Sequence, residues 1–257
     1  MMPLGQNTVP LFPKIRFGLA PEQEKQLMDM AEKMRNGLKM IRSDYESDWK
    51  ELSSYFAPHL CRIDDTTKTR KNKWSKIINN TCRRAARTLA SGMQSGLTSP
   101  ARPWFKLGIE DWELSESGRV KDWLENSTKR LQTTFRRSNF YNTSHTMYGV
   151  LGIFGTAAQF QTQDYEDTLL FKCLMTGRYW VGINAKGRVD RIVILNRMTV
   201  HQRVEAFGLD KVDPATRNSY NNGDYFIEDD VWCAVFPNPF AKRKGERLIQ
   251  RQDYFWL

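Results

Sequence analysis

The chemistry open to this 257-residue chain starts with four cysteines, Cys61, Cys82, Cys173 and Cys233, and three histidines, His59, His145 and His201. The cysteines lie far apart and form no CxxC pair, and with so few histidines no zinc-ligand spacing can be drawn. They read as reduced thiols in packed positions of an intracellular protein. The carboxylate pairs Asp64/Asp65, Glu110/Asp111 and Asp229/Asp230 are adjacent in sequence. On a strand such neighbours point to opposite faces, which suits surface cover better than a shared metal. Ser91-Gly92 and Ser95-Gly96 fall inside a helical pattern, without the GxSxG turn that exposes a nucleophile. Gly149, Gly152 and Gly155 fall three apart, but no strand precedes them and no GK[ST] follows, so they suit close helix packing rather than a phosphate cradle. The sequence thus predicts no catalytic residue, no metal and no cofactor. It points to a structural or binding protein, not an enzyme.

Charge is the stronger signal. The chain carries a formal net charge of +10 with a pI near 9.5. Residues 62–87 hold nine basic side chains, Arg62, Lys68, Arg70, Lys71, Lys73, Lys76, Arg83, Arg84 and Arg87, against Asp64 and Asp65 alone. A second cluster, Lys242, Arg243, Lys244, Arg247 and Arg251, sits near the end. Runs like these bind phosphate backbones without reading sequence. They serve equally as a solvated face or as a contact to an acidic neighbouring subunit, and both readings stay open here.

The elements that must position these residues follow from periodicity. Leu27, Met30, Met34, Leu38, Ile41, Tyr45, Trp49, Leu52 and Phe56 recur in steps of three and four, the period of a straight amphipathic helix. Pro21 suits its first position and Pro58 stops it, so a helix about 50 Å long is expected. Lys25, Glu32, Lys39 and Lys50 fall on its outer side. A second helix is expected over about 77–97, with Ile77, Ile78, Thr81, Cys82, Ala85, Ala86, Leu89 and Met93 inward and Arg83, Arg84 and Arg87 opposite. Residues 104–109 read as a short strand. A helix opening at Ser115-Glu116-Ser117 turns Val120, Trp123, Leu124, Leu131 and Phe135 inward, and a further helix spans about 141–160. Beyond 165 the pattern becomes β: 169–183 and 189–200 are joined by the hairpin signal Asn184-Ala185-Lys186-Gly187, and 230–236 forms another strand. The polar stretch 209–224 reads as turns. Helices first and antiparallel β later make this an α+β chain, with residues 1–20 a flexible arm, 21–165 a helical region and 166–257 a β-rich region. No run of about 18 apolar residues is present, so no membrane span is expected.

Residues 91–105, SGMQSGLTSPARPWF, bring a helix end into Ser99-Pro100, where proline forbids helical backbone at the preceding residue, and then into Trp104-Phe105. Together with the long first helix ending Trp49-Lys50-Glu51-Leu52-Ser53-Ser54-Tyr55-Phe56-Ala57-Pro58, then Arg137-Ser138-Asn139-Phe140-Tyr141, Phe154-Gly155-Thr156-Ala157-Ala158, the hairpin from Gly177-Arg178-Tyr179-Trp180 to Gly187-Arg188-Val189-Asp190, and the later Met198-Thr199-Val200, Phe207-Gly208 and Val235-Phe236-Pro237-Asn238, the order of blocks resembles the head-to-tail connector, or portal, proteins of short-tailed, podovirus-type bacteriophages. The resemblance runs over about residues 25–240.

It implies an α+β subunit resembling the wing part of a phage portal, with a long N-terminal helix and helical bundle before an antiparallel β region. In the family, twelve such subunits ring one capsid vertex, double-stranded DNA passes through, and the packaging terminase and later the tail adaptor dock there. Major capsid and scaffolding proteins are further partners, and the assembly forms in the host cytoplasm and stays in the virion. Family members are about twice as long, so the resemblance implies an N-terminal portion lacking most of the stem, and a monomer or a weak, salt-sensitive oligomer in isolation. Ser99, Pro100, Trp104, Phe105, Ser138, Asn139, Phe140, Phe154, Gly155 and Thr156 carry the signature. Lys68, Arg70, Lys71, Lys73, Lys76, Arg83, Arg84 and Arg87 are the candidate contacts to DNA or to a neighbouring subunit. The alternative is a free-standing, basic, non-sequence-specific nucleic-acid-binding protein using the same residues.

Overall fold

The computed structural model describes residues 21–58, 60, 63, 77–164, 168–237 and 253–256. The sequence-based expectations for residues 1–20, for His59, Cys61, Arg62, Asp64, Asp65 and the basic run 68–76, and for the cluster 242–251 lie outside them. The chain is α+β, helices first, and divides into two compact units, one holding Met1–Ser47 and Gly177–Leu257, the other Asp48–Thr176.

The first unit is built on the antiparallel sheet β3 (Tyr179–Ile183), β4 (Val189–Thr199), β5 (Glu228–Phe236) and β6 (Asp253–Trp256), ordered as in sequence. The predicted hairpin joins β3 to β4: Asn184 N–H donates to Arg188 O, and Asn184 Oδ1 accepts from the amides of Lys186 and Arg188. Helix α1 (Pro21–Phe56) begins in this unit, and Ala31, Met34 and Leu38 pack on Trp180, Val193, Ala234 and Phe236. The register explains the set, because Trp180 faces Val193 and Val193 faces Ala234 across the ladders, so all three project to one side.

The helix is where predicted, yet its inward stripe is rotated. Ile41 and Tyr45 are exposed, 65% for Ile41, and Arg42 takes the inner position. Its guanidinium lies 4.0 Å over the Trp180 ring, donates to Gly177 O and Tyr179 O at 3.0 Å each, and pairs with Glu46 at 2.6 Å. Hydrogen-bonded through all three guanidinium nitrogens and stacked on an aromatic face, an arginine can stay at a half-buried seam where isoleucine was expected. Glu32 and Lys39 are exposed as predicted.

After β4 come two short helices, the first where no element was expected and the second inside the 209–224 stretch read as turns. Thr199 and Gln202 close a reciprocal capping box on α6 (Val200–Phe207), while Asp213 caps α7 (Pro214–Asn221), whose first residue is proline.

In the second unit, α1 ends at Phe56, with Trp49 and Leu52 packed around the buried Val150 and Phe154 and Lys50 exposed. Then follow α2 (Thr81–Leu97), α3 (Trp112–Glu116), α4 (Gly118–Arg137), α5 (Phe140–Phe154) and a two-stranded antiparallel pair, β1 (Ala158–Asp164) with β2 (Thr168–Leu174). Four expectations change here. Helix α2 starts at Thr81 rather than 77, and Ile78 before it is 98% exposed. Helix α5 stops at Phe154, because Gly155 adopts a left-handed φ of 70° that closes the helix, and β1 follows where helix was expected. The run 169–183 is two strands of different sheets, broken at Gly177 with φ 96°. Residues 104–109 are extended but join no ladder. Their backbone is served by α4 instead: Leu107 N–H donates to Thr128 Oγ1 at 3.1 Å, and Phe105 O accepts from Gln132 Nε2 at 3.4 Å. The inner face of α4 therefore runs Val120, Leu124, Thr128, Gln132 and Phe135, leaving Trp123 65% exposed and Leu131 exposed as well.

Candidate functional site

The signature residues sort into two groups within the second unit. Around β2, Trp104 stacks on Phe140 (5.7 Å between centroids, 8° between planes) and meets Phe105 edge-on at 4.7 Å. Phe135 and Phe171 complete the cluster, 4.8 and 5.1 Å from Phe140. Trp104 and Phe105 are half-buried, and Trp104 Nε1 donates to the Tyr141 hydroxyl at 3.3 Å. Ser138 bridges the gap between α4 and α5, donating to Phe135 O and accepting from Phe140 N–H.

Asn139 does what a strand would do. Its Nδ2 donates to Phe171 O and its Oδ1 accepts from Phe171 N–H, both at 2.8 Å. One amide side chain thus supplies both partners of a β-ladder on the edge of β2 left open by β1, which protects that edge from pairing elsewhere. Sequence reasoning named Asn139 but not this role; the only signal was an asparagine between two helical patterns beside a strand.

The other signature residues frame the ends of α2 and α5. Thr98 caps α2 through its backbone, and its buried hydroxyl lies 3.1 Å from the Tyr148 hydroxyl. Ser99 Oγ accepts from Ala101 N–H across the Pro100 turn. Phe154 is core, Gly155 is the left-handed cap and Thr156 is half-buried beyond it.

Of the predicted basic contacts, Arg83, Arg84 and Arg87 are described, and their placement corrects the sequence reading. Arg83 and Arg87 lie on the same face of α2 as Ala86 and Ala90, not opposite it, and line a cleft of about 190 Å³ between α2 and α5. Cys82, Ala86 and Met93 are partly buried as expected, but Thr81, Ala85 and Leu89 are exposed. Phe56, Leu60 and Ile153 supply the apolar walls, and His145 joins the two arginines at the rim. His145 Nε2 lies 3.4 Å from Ser91 Oγ. Arg84 is exposed and is not among the residues lining the cleft. Of the three spaced glycines, Gly152 alone is needed for close helix approach, since a Cβ there would meet Leu89 Cδ2 at 2.8 Å; at Gly149 a Cβ would make an ordinary 3.8 Å contact with Ala90, and Gly155 has open space around it.

A second charged centre, in the first unit, was missed. Arg203 is 9% exposed and pairs with Asp229 at 2.6 Å and Asp213 at 3.6 Å. On the other side of β5, Asp230 holds Arg197 at 3.2 Å and Arg178 at 3.7 Å. The alternation expected of adjacent carboxylates on a strand is therefore real, with Asp229 serving Arg203 and Asp230 serving Arg197 and Arg178. The Asp213 carboxyl is held below its usual range by the Thr216 hydroxyl and amide, then by Arg203. Burial pushes the Cys233 thiol up to about 12 and raises that of Cys173. Among the described residues no group of three or more His, Cys, Asp or Glu could hold a metal, and no helix is long and apolar enough to cross a membrane.

The resulting picture is an α+β chain whose distinctive side chains work in packing, capping and surface charge. The family model described as bacteriophage head to tail connecting protein matches residues 28–255, and the chain belongs to that family. It is 37% identical over 240 residues to the portal protein of Salmonella phage epsilon15, a match covering 91% of this chain and 42% of that one. It is 38% identical over 222 residues to the probable portal protein of Bordetella phage BPP-1, covering 85% and 40%. The chain thus spans about two fifths of the length of these relatives.

Proposed function

We propose that this chain is a structural part of a phage portal: a subunit of the ring at one capsid vertex through which double-stranded DNA is packaged and ejected. The observation that carries the reading is the likeness, over most of the chain, to two proteins named as portals. In this role twelve copies of the complete protein form a dodecamer with a DNA channel, contacting major capsid and scaffolding proteins. The packaging terminase binds it during filling and the tail adaptor afterward. It is assembled in the bacterial host cytoplasm and remains in the virion. The motor hydrolyses nucleotide, and the portal does no chemistry of its own.

Within this reading the signature residues are scaffold rather than contact. Trp104, Phe105, Ser138, Asn139 and Phe140 fix the extended segment, α4, α5 and β2 together, so that the surface of α2 is presented rigidly. Arg83, Arg84 and Arg87, with Lys68, Arg70, Lys71, Lys73 and Lys76, remain candidate contacts to a neighbouring subunit or to DNA. Neither the matched family nor the relatives' names support a free-standing nucleic-acid-binding protein. Immunogold labelling of particles from the phage that encodes this chain tests the role. Label confined to the tail-bearing vertex is expected. Label spread over the capsid shell, or absent from purified particles, refutes it.

A further inference from the structure

Two described surfaces carry an exposed aromatic ring between like charges, and the signs are opposite. The basic one is the outer face of α4. Arg119, Trp123, Asn126, Arg130 and Arg137 recur at helical spacing opposite the buried Leu124 and Thr128, and all five are exposed, Trp123 by 65%. The glutamates nearby are taken by lysines instead: Glu116 pairs with Lys121 at 2.9 Å and Glu125 with Lys129 at 2.7 Å. Arg119, Arg130 and Arg137 form no ion pair among the described residues. Asp122 is exposed too, but lies about 100° round the helix from Trp123. A duplex DNA backbone would offer phosphates to these arginines but no apolar plane to the indole. A partner with an aromatic ring between carboxylates offers both.

Residues 224–228 of this same chain have that chemistry. Phe226 is 88% exposed, between the exposed carboxylates of Asp224 and Glu228, neither of which forms an ion pair among the described residues. The segment is ordered: Val200 N–H donates to Ile227 O at 2.9 Å and His201 N–H to Tyr225 O at 3.2 Å, while Tyr225 packs edge-on to Tyr220 at 5.1 Å. The spans agree as well. Arg119 and Arg130 bracket Trp123 over about 16 Å of helix axis. Asp224 and Glu228 bracket Phe226 within the roughly 14 Å that four residues can reach, and arginine and glutamate side chains cover the difference.

We propose that Phe226 of one copy packs on Trp123 of a second copy, with Asp224 meeting Arg119 and Glu228 meeting Arg130. The contact joins different patches of two identical chains, the heterologous type that closes into rings. One aromatic side chain buries only about 150–250 Å², well below a stable interface, so the contact is weak and salt-sensitive, one element of a larger one. The inference rests on the portal reading and names which surfaces of neighbouring subunits touch.

The test is photo-cross-linking. The full chain carrying p-benzoylphenylalanine in place of Phe226 is mixed with unmodified, heavy-isotope-labelled chain, irradiated, and mapped by mass spectrometry. Every substituted position is exposed, so melting temperatures should stay at the wild-type value, which the same samples check. Cross-links from 226 to α4 peptides of the heavy copy are expected. Arg130→Glu in the heavy copy, or salt near about 1 M, should lower their yield about threefold or more. Adding Glu228→Arg to the cross-linking copy should restore the yield against Arg130→Glu. Links that stay within one copy, map elsewhere or ignore both charge reversals overturn the contact. So does a chain that forms no link from 226 to α4 but binds a duplex DNA oligonucleotide in a manner Arg130→Glu abolishes, which would assign the face to nucleic acid. Immunogold label at the tail vertex alongside such a failure leaves the portal role standing, whereas α4 cross-links without vertex label sink the role and keep the contact.

Discussion

Replacing Asn139 separates a structural role for the family signature from a merely coincidental one. Its side chain makes two 2.8 Å hydrogen bonds to the backbone of Phe171. Asn139→Ala strands both groups in a half-buried site. An orphaned backbone group costs ~1–3 kcal/mol when fully buried, so about 1 kcal/mol for each is reasonable here. Thr143 Oγ1 reaches Phe171 O at 3.4 Å and softens one of the two losses. A total of about 1.5–2.5 kcal/mol in urea melts is expected. Asn139→Asp adds a sharper readout. A carboxylate can still accept from Phe171 N–H but sets negative charge against Phe171 O, so the folded state favours its protonated form and raises its pKa. The stability it loses is then recovered as pH falls through that raised value toward the ordinary carboxylate range near 4. The gap from the wild-type chain should be widest at pH 7 and shrink by at least half at pH 4, each compared at the same pH. A loss below about 0.5 kcal/mol for Asn139→Ala, or a pH-independent cost for Asn139→Asp, refutes the ladder-mimic role.

Trp104→Ala removes the largest ring of a five-ring cluster, itself only half-buried and packed on Phe105, Phe135 and Phe140, so about 2–4 kcal/mol is expected, below a fully buried tryptophan; a loss under 1 kcal/mol in denaturant melts would show that the cluster contributes little. Leu38→Asp should unfold the first unit, because Leu38 is 8% exposed against Trp180, whereas Ile41→Asp should stay within about 0.5 kcal/mol of wild type; equal cost at both would restore the stripe read from sequence. Asp213→Ala removes the α7 cap, worth about 1 kcal/mol at so exposed a site. Because the folded carboxyl titrates below its ordinary value, that difference should be constant at neutral pH and fade as pH drops below about 3–4, and a difference that grows on acidification would contradict the cap.

What the sequence made legible was whatever periodicity or turn chemistry encodes locally. Helix α1 ran as predicted because nine apolar positions recur at the helical period, and the β3–β4 hairpin because Asn184 and Gly187 carry the turn. What stayed hidden was where a polar side chain does an apolar or backbone job. Arg42 occupies the inner seam of α1 through its ring stack, and Thr128 and Gln132 sit on the inner face of α4 because they serve the extended segment. An apolar-period reading assigns both outward, and so Ile41 and Trp123 were placed inside. The strand β1, AQFQTQD, escaped for the same reason, since its polar composition masks an extended backbone that only β2 reveals. The signature was legible as a resemblance, but its geometry was not, because the bond from Asn139 to Phe171 crosses 32 residues.

The charge distribution carries the argument one step further. A chain at +10 has fewer carboxylates than bases, and the structure commits three of them, Asp213, Asp229 and Asp230, to fastening α6, α7 and β4 to β5 through Arg203, Arg197 and Arg178. Asp229 and Asp230 are neighbours on β5, and their side chains reach different elements: Asp229 holds Arg203 of α6, while Asp230 holds Arg197 of β4 and Arg178 just before β3. Alternation along a strand is what lets two adjacent acids do this, since consecutive side chains point to opposite faces. One short acidic pair therefore ties a helix and the sheet to the same strand, and a charge-reversing change at either acid should loosen one of these attachments without touching the other.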